Sequence, residues 1–290
     1  MKEYKMIEIS ALKFRYSRKK VLFSDLDLSL ASGHIVGLLG KNGEGKSTLL
    51  KLICSQLLRK GGEMRVLGAD PKERAVSFLQ QVYYLPEVIG IPKRCSIKNY
   101  LEAITPFYPN FDQQQLENTL DLFELSQSDR MDRLSMGQQK KVAIALALAL
   151  NTPLLLMDEP TNGLDIPSKS LFRKLLAQQI DDDRLIIIST HQVRDLEQVT
   201  DQVVVMNQNK IIANYNIGEL NDRLTCRLVA PGEEPIYAER TPAGMFGIFP
   251  QDEQVPSTEI SLELFFNALL YNAPAMQRIL NSSIEEGGER

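Results

Sequence analysis

The stretch GKNGEGKST at residues 40–48 constrains the fold of this chain most, because it fits the pattern G-x-x-x-x-G-K-[ST]. The preceding apolar run HIVGLLG (34–40) predicts a short buried strand, and STLLKLICSQLL (47–58) predicts a helix. Between a strand and a helix, such a loop aims its backbone N–H groups at phosphate oxygens. We therefore expect a phosphate-binding loop (P-loop), with a chance glycine-rich turn as the weaker alternative. In this motif Lys46 reaches the β- and γ-phosphates and Ser47 holds Mg²⁺.

Two further apolar runs end in polar residues that suit chemistry on a phosphate. LLLMDEP places Asp158 and Glu159 at the tip of a predicted buried strand. Adjacent carboxylates are costly there unless they meet a cation or take part in chemistry. Asp158 therefore suits a grip on Mg²⁺, and Glu159 suits a base that orients water. His191 follows the run LIIIST and is expected to contact a γ-phosphate; a solvated turn and a structural histidine are the plainer alternatives.

Strands and helices alternate over most of the chain, which predicts a wound α/β sheet with parallel strands. Alternating apolar and polar residues over 6–32 predict strands of a partly exposed antiparallel sheet, and helical periodicity dominates 96–150. The predicted fold class is α/β, with a P-loop NTPase core, an antiparallel β subdomain and a helical subdomain at about 88–150. Ligands of such sheets lie beyond the carboxyl ends of the strands, where the polar residues named above fall.

The character of the chain changes after about residue 220, so we expect one domain at 1–220 and a small α+β appendage at 221–290. The appendage is acidic, with eleven Asp and Glu residues against five Arg. A predicted helix near its end carries one apolar stripe, formed by Leu262, Phe265, Phe266 and Leu269. We expect this stripe to pack on its own domain, with a partner-binding face as the alternative. The last six residues, EEGGER, are expected to fray.

Composition and charge argue against several classes of protein. Three scattered cysteines without a C-x-x-C pair suit reduced thiols in a cytosol, and two histidines cannot build a histidine-rich metal site. The first ten residues, MKEYKMIEIS, carry charge and no apolar segment, so we expect no secretory signal. The longest apolar run, VAIALALAL (142–150), falls short of the ~20 residues that a membrane span needs, so we expect a chain that does not cross a bilayer. The net charge of −4 argues against a general nucleic-acid binder.

A second helix start suited to phosphate follows at LSMGQQKK (134–141). Ser135 is a good N-cap residue, and Gln138 three residues later completes a capping-box pattern. GKNGEGKST, LSMGQQ, LLLMDEP, GLD (163–165) and STH (189–191) follow one another in the order seen in ATP-binding-cassette (ABC) ATPases. Over residues 6–220 the chain therefore resembles that family. The stretch LSMGQ (134–138), called the signature stretch below, makes the resemblance specific because most P-loop enzymes lack it.

The resemblance implies a use for both phosphate sites. In the family, two nucleotide-binding domains dimerise head to tail around two ATP molecules, with Mg²⁺ at each P-loop. The signature stretch of each domain covers the γ-phosphate that the opposite P-loop holds. The signature stretch here is then the site for the partner's nucleotide, and the expected partner is a second copy or a homologous ATPase subunit.

The resemblance also implies a role for each matching residue. Lys46, Glu159 and His191 are the implied catalytic residues, with Glu159 as the catalytic carboxylate and His191 as the γ-phosphate switch. The implied nucleotide-binding set is Tyr16, Gly40, Asn42, Gly43, Gly45, Lys46, Ser47, Thr48, Ser135, Gly137, Gln138 and Asp165. In this set Tyr16 is the adenine-stacking aromatic, although a tyrosine that caps a strand is the plain alternative, and Asp165 makes contact across the dimer. The implied metal ligands are Ser47, Asp158 and Glu87.

Two positions depart from the pattern of the family. Met136 stands where the usual signature has glycine, and Glu87, in YYLPE, stands where the family has its coupling glutamine. Glu87 is expected to reach Mg²⁺ through water, and repulsion of the γ-phosphate by its carboxylate is the alternative. YLPE, FYPNFD (107–112) and the helix SLELFFNAL (261–269) resemble ATPases of the ABC-2 export type.

The leading hypothesis is the ATP-hydrolysing subunit of a membrane exporter. Its transmembrane permease would be a separate chain that holds it at the inner face of the cell membrane. The permease would dock on residues 87–133, although these residues could form a helical lid alone.

The alternative is a non-transport ABC ATPase acting on DNA or the ribosome. Leu134 follows Lys46 by only 88 positions, which leaves no room for the coiled coils of DNA-repair relatives, and the acidic tail disfavours nucleic acid. A module that binds ATP without hydrolysis is a third hypothesis, and Glu159 and His191 argue against it.

Overall fold

The computed structural model of the protein describes residues 5–92, 94–252 and 258–281. The chain divides into two compact units between Ile211 and Ile212. The assignment of 221–290 as an accessory region stays a prediction, and the predicted fraying of 285–290 lies outside the described residues.

The strands are β1 (Lys5–Ser17), β2 (Lys20–Ala31), β3 (His34–Leu39), β4 (Gly61–Val66), β5 (Val82–Leu85), β6 (Leu154–Asp158), β7 (Leu185–Thr190), β8 (Gln202–Asn207), β9 (Lys210–Asn216), β10 (Leu224–Leu228), β11 (Tyr237–Thr241) and β12 (Gly244–Pro250). The helices are α1 (Lys46–Ile53), α2 (Val76–Leu79), α3 (Ile97–Glu102), α4 (Gln113–Leu122), α5 (Met136–Ala149), α6 (Ile166–Ala177), α7 (Ile217–Arg223), α8 (Leu262–Tyr271) and α9 (Ala273–Asn281). Within the described residues, none of these helices has both the length and the apolar character that crossing a bilayer requires.

The central sheet has the strand order β5-β6-β7-β3-β8-β9, and the pairs from β5 to β8 are parallel. Parallel strands that are covered on both faces need nearly continuous apolar sequence, and the strands β6 and β7 are buried along their whole length. Because the strands are parallel, the carboxyl ends of β3, β5, β6 and β7 meet at one edge. The predicted wound α/β sheet is confirmed.

Side chains of the central strands alternate between two apolar clusters, because a pleated strand sends successive residues to opposite faces. On β6, Leu154 and Leu156 join the cluster that contains α1 and the antiparallel strands. Leu155 and Met157 join the other cluster, which contains α3 to α6. Helix α5 is buried on all sides from residue 142 to its end, which explains why its sequence is apolar around the whole helix.

The two predicted subdomains of the core are both present. Strand β1 pairs antiparallel with β2 and β4, and helices α3 to α5 occupy the predicted helical segment. The helix predicted over 47–58 is shorter than expected. It ends at Ile53, and Ser55 adopts a φ of 64°. A residue in the left-handed region cannot continue a right-handed helix, so the apolar residues beyond it pack as a loop.

The second unit is α+β, as predicted. Strands β10, β12 and β11 form an antiparallel sheet in that order, and α8 packs on β11 and β12. Leu262, Phe265 and Leu269 are buried, and Phe266 is partly buried. The apolar stripe of α8 therefore packs within its own unit, as the first of the two interpretations expected.

Candidate active site

A cleft of about 420 Å³ gathers most of the predicted site residues at the carboxyl edge of the central sheet. Its lining residues are Tyr16, Lys20, Leu22, Asn42, Gly43, Gly45, Lys46, Ser47, Thr48, Glu87, Glu159 and His191. Gly40 and Asp158 do not line it, but each binds a residue that does. Lys20 and Leu22 were not predicted as site residues, because the alternation of polar and apolar residues along β2 does not reveal which of them faces a ligand.

The P-loop presents backbone N–H groups at the start of α1. Gly45 is the N-cap residue, with a φ of 101°, and no side chain caps the helix. A Cβ atom at Gly45 would lie 2.8 Å from the ring of Phe23, so the position requires glycine on steric grounds as well. The first N–H groups of a helix need an acceptor, and a phosphate fits that requirement because the helix dipole favours an anion there.

Lys46 is held inside the cleft by the loop itself. Its Nζ donates to the carbonyl oxygen of Gly40 at 2.6 Å and to that of Lys41 at 3.2 Å. Burial lowers the pKa of Lys46, and the nearby carboxylates of Glu159 and Asp158 oppose this shift. The ammonium group is thus desolvated, and a bound polyphosphate would complement its positive charge.

Asp158 collects three hydroxyl donors at the end of β6. Its Oδ1 accepts from Ser47 Oγ at 3.0 Å and from Ser189 Oγ at 2.5 Å, and its Oδ2 accepts from Tyr84 Oη at 3.0 Å. Burial, followed by the charge of Asp158, raises the pKa of Tyr84 well above its usual range, so the tyrosine stays protonated and donates. A hydroxyl and a carboxylate oxygen 3.0 Å apart are hard ligands of the kind that Mg²⁺ prefers, and Ser47 and Asp158 therefore fit the ion.

Glu159 is held by the end of β7. Its backbone N–H donates to the carbonyl oxygen of Ser189 at 3.0 Å. Its carboxylate accepts from Thr190 Oγ1 at 3.1 Å and from the backbone N–H of His191 at 3.1 Å, and it lies 2.8 Å from His191 Nδ1. A carboxylate only accepts hydrogen bonds, so Nδ1 carries the proton. Glu159 is buried yet lines the cleft, which gives a fixed acceptor for the proton of an attacking water.

Glu87 also lines the cleft, on the loop that follows β5. Its Oε1 accepts from Asn162 Nδ2 at 3.1 Å, and its backbone carbonyl oxygen accepts from Lys140 Nζ at 2.6 Å. Glu87 thus faces the same space as Lys46 and Glu159, although no hydrogen bond connects its carboxylate to either of them.

The signature stretch lies outside this cleft. Ser135 Oγ accepts from the backbone N–H of Gln138 at 3.2 Å, and Gln138 Oε1 accepts from the backbone N–H of Ser135 at 3.0 Å, which is the predicted capping box. A Cβ atom at Gly137 would lie 2.7 Å from the carbonyl oxygen of Gly163, so the start of α5 packs closely on the GLD loop. Neither Ser135, Gly137 nor Gln138 lines the cleft that holds the P-loop.

Asp165 lies beside the signature stretch rather than in the cleft. It caps α6 by accepting from the backbone N–H of Ser168 at 2.8 Å, and it pairs with Lys141 of α5 at 3.8 Å. The hydrogen bond from Ser168 lowers the pKa of Asp165. Its predicted contact with a partner stays a prediction.

Sequence reasoning missed several residues that build the site. Ser189 and Thr190 stand in the STH motif, but the pattern did not show that they hold Asp158 and Glu159. Tyr84 lies in the apolar strand β5, and Lys140 lies on the buried helix α5. The sequence signal for a role of either residue was a polar group within an otherwise apolar segment.

Comparison with known proteins identifies relatives of this chain. The family model described as ABC transporter matches residues 23–162. The ABC transporter ATP-binding protein NatA of Bacillus subtilis (strain 168) is 30% identical over 219 residues, which cover 71% of this chain and 88% of NatA. The bacitracin transport ATP-binding protein BcrA of Enterococcus faecalis is 28% identical over 221 residues, which cover 75% of this chain and 71% of BcrA.

A solved structure of an ATP binding subunit of an ABC transporter shares the fold. The match has a TM-score of 0.67 and 23% sequence identity, and it covers 74% of this chain and 92% of the chain in the solved structure. The predicted P-loop NTPase fold is therefore confirmed. Together with the relatives above, it shows that the chain belongs to the family of ABC transporter ATP-binding proteins, ATPases that drive membrane transport.

Proposed function

We propose that this chain, as the ATPase subunit of an ABC exporter, works in a dimer that closes around two ATP molecules and their Mg²⁺. The second subunit is another copy or a homologous chain. A separate transmembrane permease holds the dimer at the inner face of the membrane. The stretches YLPE and FYPNFD support export. The non-transport alternative has no support among the relatives described above, which are named as transport proteins.

One observation carries this proposal. The P-loop, Glu159 and His191 line one cleft, whereas Ser135 and the exposed Met136 present a second helix start outside it. A single chain thus holds the catalytic part of one nucleotide site, in its own cleft. It also holds a second helix start suited to phosphate, which that cleft does not use. A head-to-tail dimer brings each such helix start to the other subunit's cleft.

The residues of the cleft divide the work of phosphoryl transfer to water. Lys46 and the N–H groups of α1 bind the β- and γ-phosphates, while Ser47 and Asp158 hold Mg²⁺. The ion, when bound, neutralises the negative charge that builds up on the phosphate oxygens. Glu159 orients the attacking water and accepts its proton, and His191 contacts the γ-phosphate.

Tyr16 is the residue proposed to stack on the adenine. Its hydroxyl group hydrogen bonds with Thr48 Oγ1 at 2.8 Å, and its ring packs nearly perpendicular to that of Phe14. The side chain remains 54% exposed beside the P-loop, so its ring can take a flat base. Thr48 and Asn42 complete the edge of the cleft.

The permease is proposed to dock on residues 87–133. Two large apolar side chains of this region, Val88 and Phe107, are 75% and 66% exposed. Apolar side chains of that size on a surface suit a helix of a membrane partner. A helical lid without a partner would not need them exposed.

The test is the ATP turnover of wild type, of Glu159→Gln and of the control Glu63→Gln. Glu63 is an exposed carboxylate on β4 that does not line the cleft. Glu159→Gln should lower kcat about 100-fold or more, because loss of a general base typically costs 10²–10⁴-fold, and Glu63→Gln should not change it.

The same variants distinguish the dimer from the monomer. Glu159→Gln with ATP and Mg²⁺ should elute from gel filtration at about twice the mass of the 32.7 kDa chain, since unhydrolysed ATP keeps the two subunits together. Equal turnover of Glu159→Gln and wild type would refute the catalytic assignment. A monomer at saturating ATP would refute the dimer.

A further inference from the structure

Lys140 is a buried cation that the chemistry described so far does not use. It lies on α5, five residues after Ser135, and its side chain is almost wholly buried. Its Nζ donates to the carbonyl oxygens of Pro86 at 3.3 Å and of Glu87 at 2.6 Å. The side chain therefore ties the helix that begins at the signature stretch to the loop that carries Glu87.

Hydrogen bonds to carbonyl oxygens do not neutralise a buried ammonium group, so its charge needs compensation from elsewhere. Burial lowers the pKa of Lys140, and the carboxylates that oppose this shift are, in decreasing order, Glu87, Asp158 and Glu159. These carboxylates belong to the candidate active site. Lys140 is thus the counter-charge behind the loop, and Glu87 is the strongest of its charged neighbours.

Glu87 creates the need for such a counter-charge. The cleft already contains Glu159 and adjoins Asp158, and a polyphosphate would add further negative charge there. A third carboxylate beside the γ-phosphate raises the electrostatic cost of binding and of the transition state. A buried cation that is hydrogen bonded to the backbone of the same residue reduces this cost.

We propose that Lys140 is a positioning residue for ATP hydrolysis, which fixes the Glu87 loop on α5 and balances the charge of Glu87. This inference rests on the function proposed above. Because α5 begins at the signature stretch, Lys140 also links the element that meets the partner's ATP with the loop that faces the chain's own ATP.

A double-mutant cycle of Lys140→Gln and Glu87→Gln tests this pairing. Glutamine at position 140 keeps a hydrogen-bond donor and removes the charge. Lys140→Gln alone should lower kcat about tenfold, with a smaller change in KM. An effect of this size lies within the range of interaction energies between residues that are in contact. The double variant should recover most of that loss, because it lacks both charges. The matched control is Lys174→Gln, an exposed lysine on α6, which should not alter kcat in either background.

A merely structural role of Lys140 predicts a different result. In that case Lys140→Gln would lower kcat by the same factor in the wild-type and in the Glu87→Gln background, and that equality would overturn the proposal. If Lys140→Gln does not fold, thermal unfolding gives the answer instead. The double variant should then fold and bind ATP, and failure of both variants to fold would overturn the charge pairing. Turnover of the wild type in the same assay distinguishes failure of the proposed ATPase function from failure of the role proposed for Lys140. An inactive wild type would refute the proposed function itself.

Discussion

At the scale of single residues, the carboxylate of Asp158 organises the site. It accepts hydrogen bonds from Ser47, Ser189 and Tyr84, each of which comes from a different segment of the chain. The parallel register that places Asp158 opposite Ser189 brings two of these groups together. A buried carboxylate that accepts three hydrogen bonds is held in one orientation, which is what a ligand of Mg²⁺ requires.

Tyr84→Phe should therefore destabilise the protein. The substitution removes a buried hydrogen bond to a charged acceptor, which contributes about 1.5–3 kcal/mol to the free energy of unfolding. Urea denaturation followed by circular dichroism measures this change.

The neighbouring Tyr83 provides the control. It is as buried as Tyr84 but faces the other cluster, where its ring packs on Tyr108. Tyr83→Phe should cost less than about 1 kcal/mol. Equal losses for the two variants would show that the contact with Asp158 contributes nothing.

At the scale of elements, the capping box at the start of α5 presents the signature stretch. Ser135→Asp separates its two proposed roles, because aspartate is as good an N-cap residue as serine. The variant should keep the thermal stability of wild type and its affinity for ATP. Its ATP turnover should fall at least about tenfold, since a second anion at this helix start repels the partner's γ-phosphate.

The control for this prediction is Ser77→Asp, at an exposed serine on α2. It adds the same charge away from both phosphate sites and should leave turnover unchanged. Calorimetry gives the affinity for ATP, and a phosphate-release assay gives the turnover. Loss of ATP binding by Ser135→Asp would contradict the assignment of this stretch to the partner's nucleotide.

Elements with strong local patterns could be predicted from the sequence, and others could not. Strands β3, β6 and β7 are continuous apolar runs, and the P-loop between β3 and α1 has a fixed pattern of residues, so both were predictable. Strand β4 was missed, because GGEMRV has two glycines and little apolar character. It forms by pairing with β1, a long-range contact that local sequence does not encode.

The candidate site shows the same division between local and long-range information. Its lysine, serine and acidic residues stand in motifs of fixed spacing and could be named in advance. Tyr84 and Lys140 could not, because their roles depend on which strands and loops become neighbours in space. Glu87 was recognised as a departure from the family and as an implied ligand of Mg²⁺, whereas its link with Lys140 became visible only in the structure.

At the scale of the whole molecule, the chain consists of two units, and the described residues that line the cleft belong to the first. The first unit holds both of the helix starts that are proposed to bind phosphate, at α1 and at α5. Only the first of these lies in the cleft. In the proposed dimer, a second subunit therefore completes each site.

Mixing two inactive variants tests this dependence most directly. Ser135→Asp lacks a working signature stretch and Glu159→Gln lacks the catalytic carboxylate, so each alone should show little turnover. In an equal mixture half of the dimers are mixed, and each mixed dimer holds one intact site, so turnover should return to about a quarter of the wild-type rate. A mixture that hydrolyses ATP no faster than the mean of its two components would contradict the shared site.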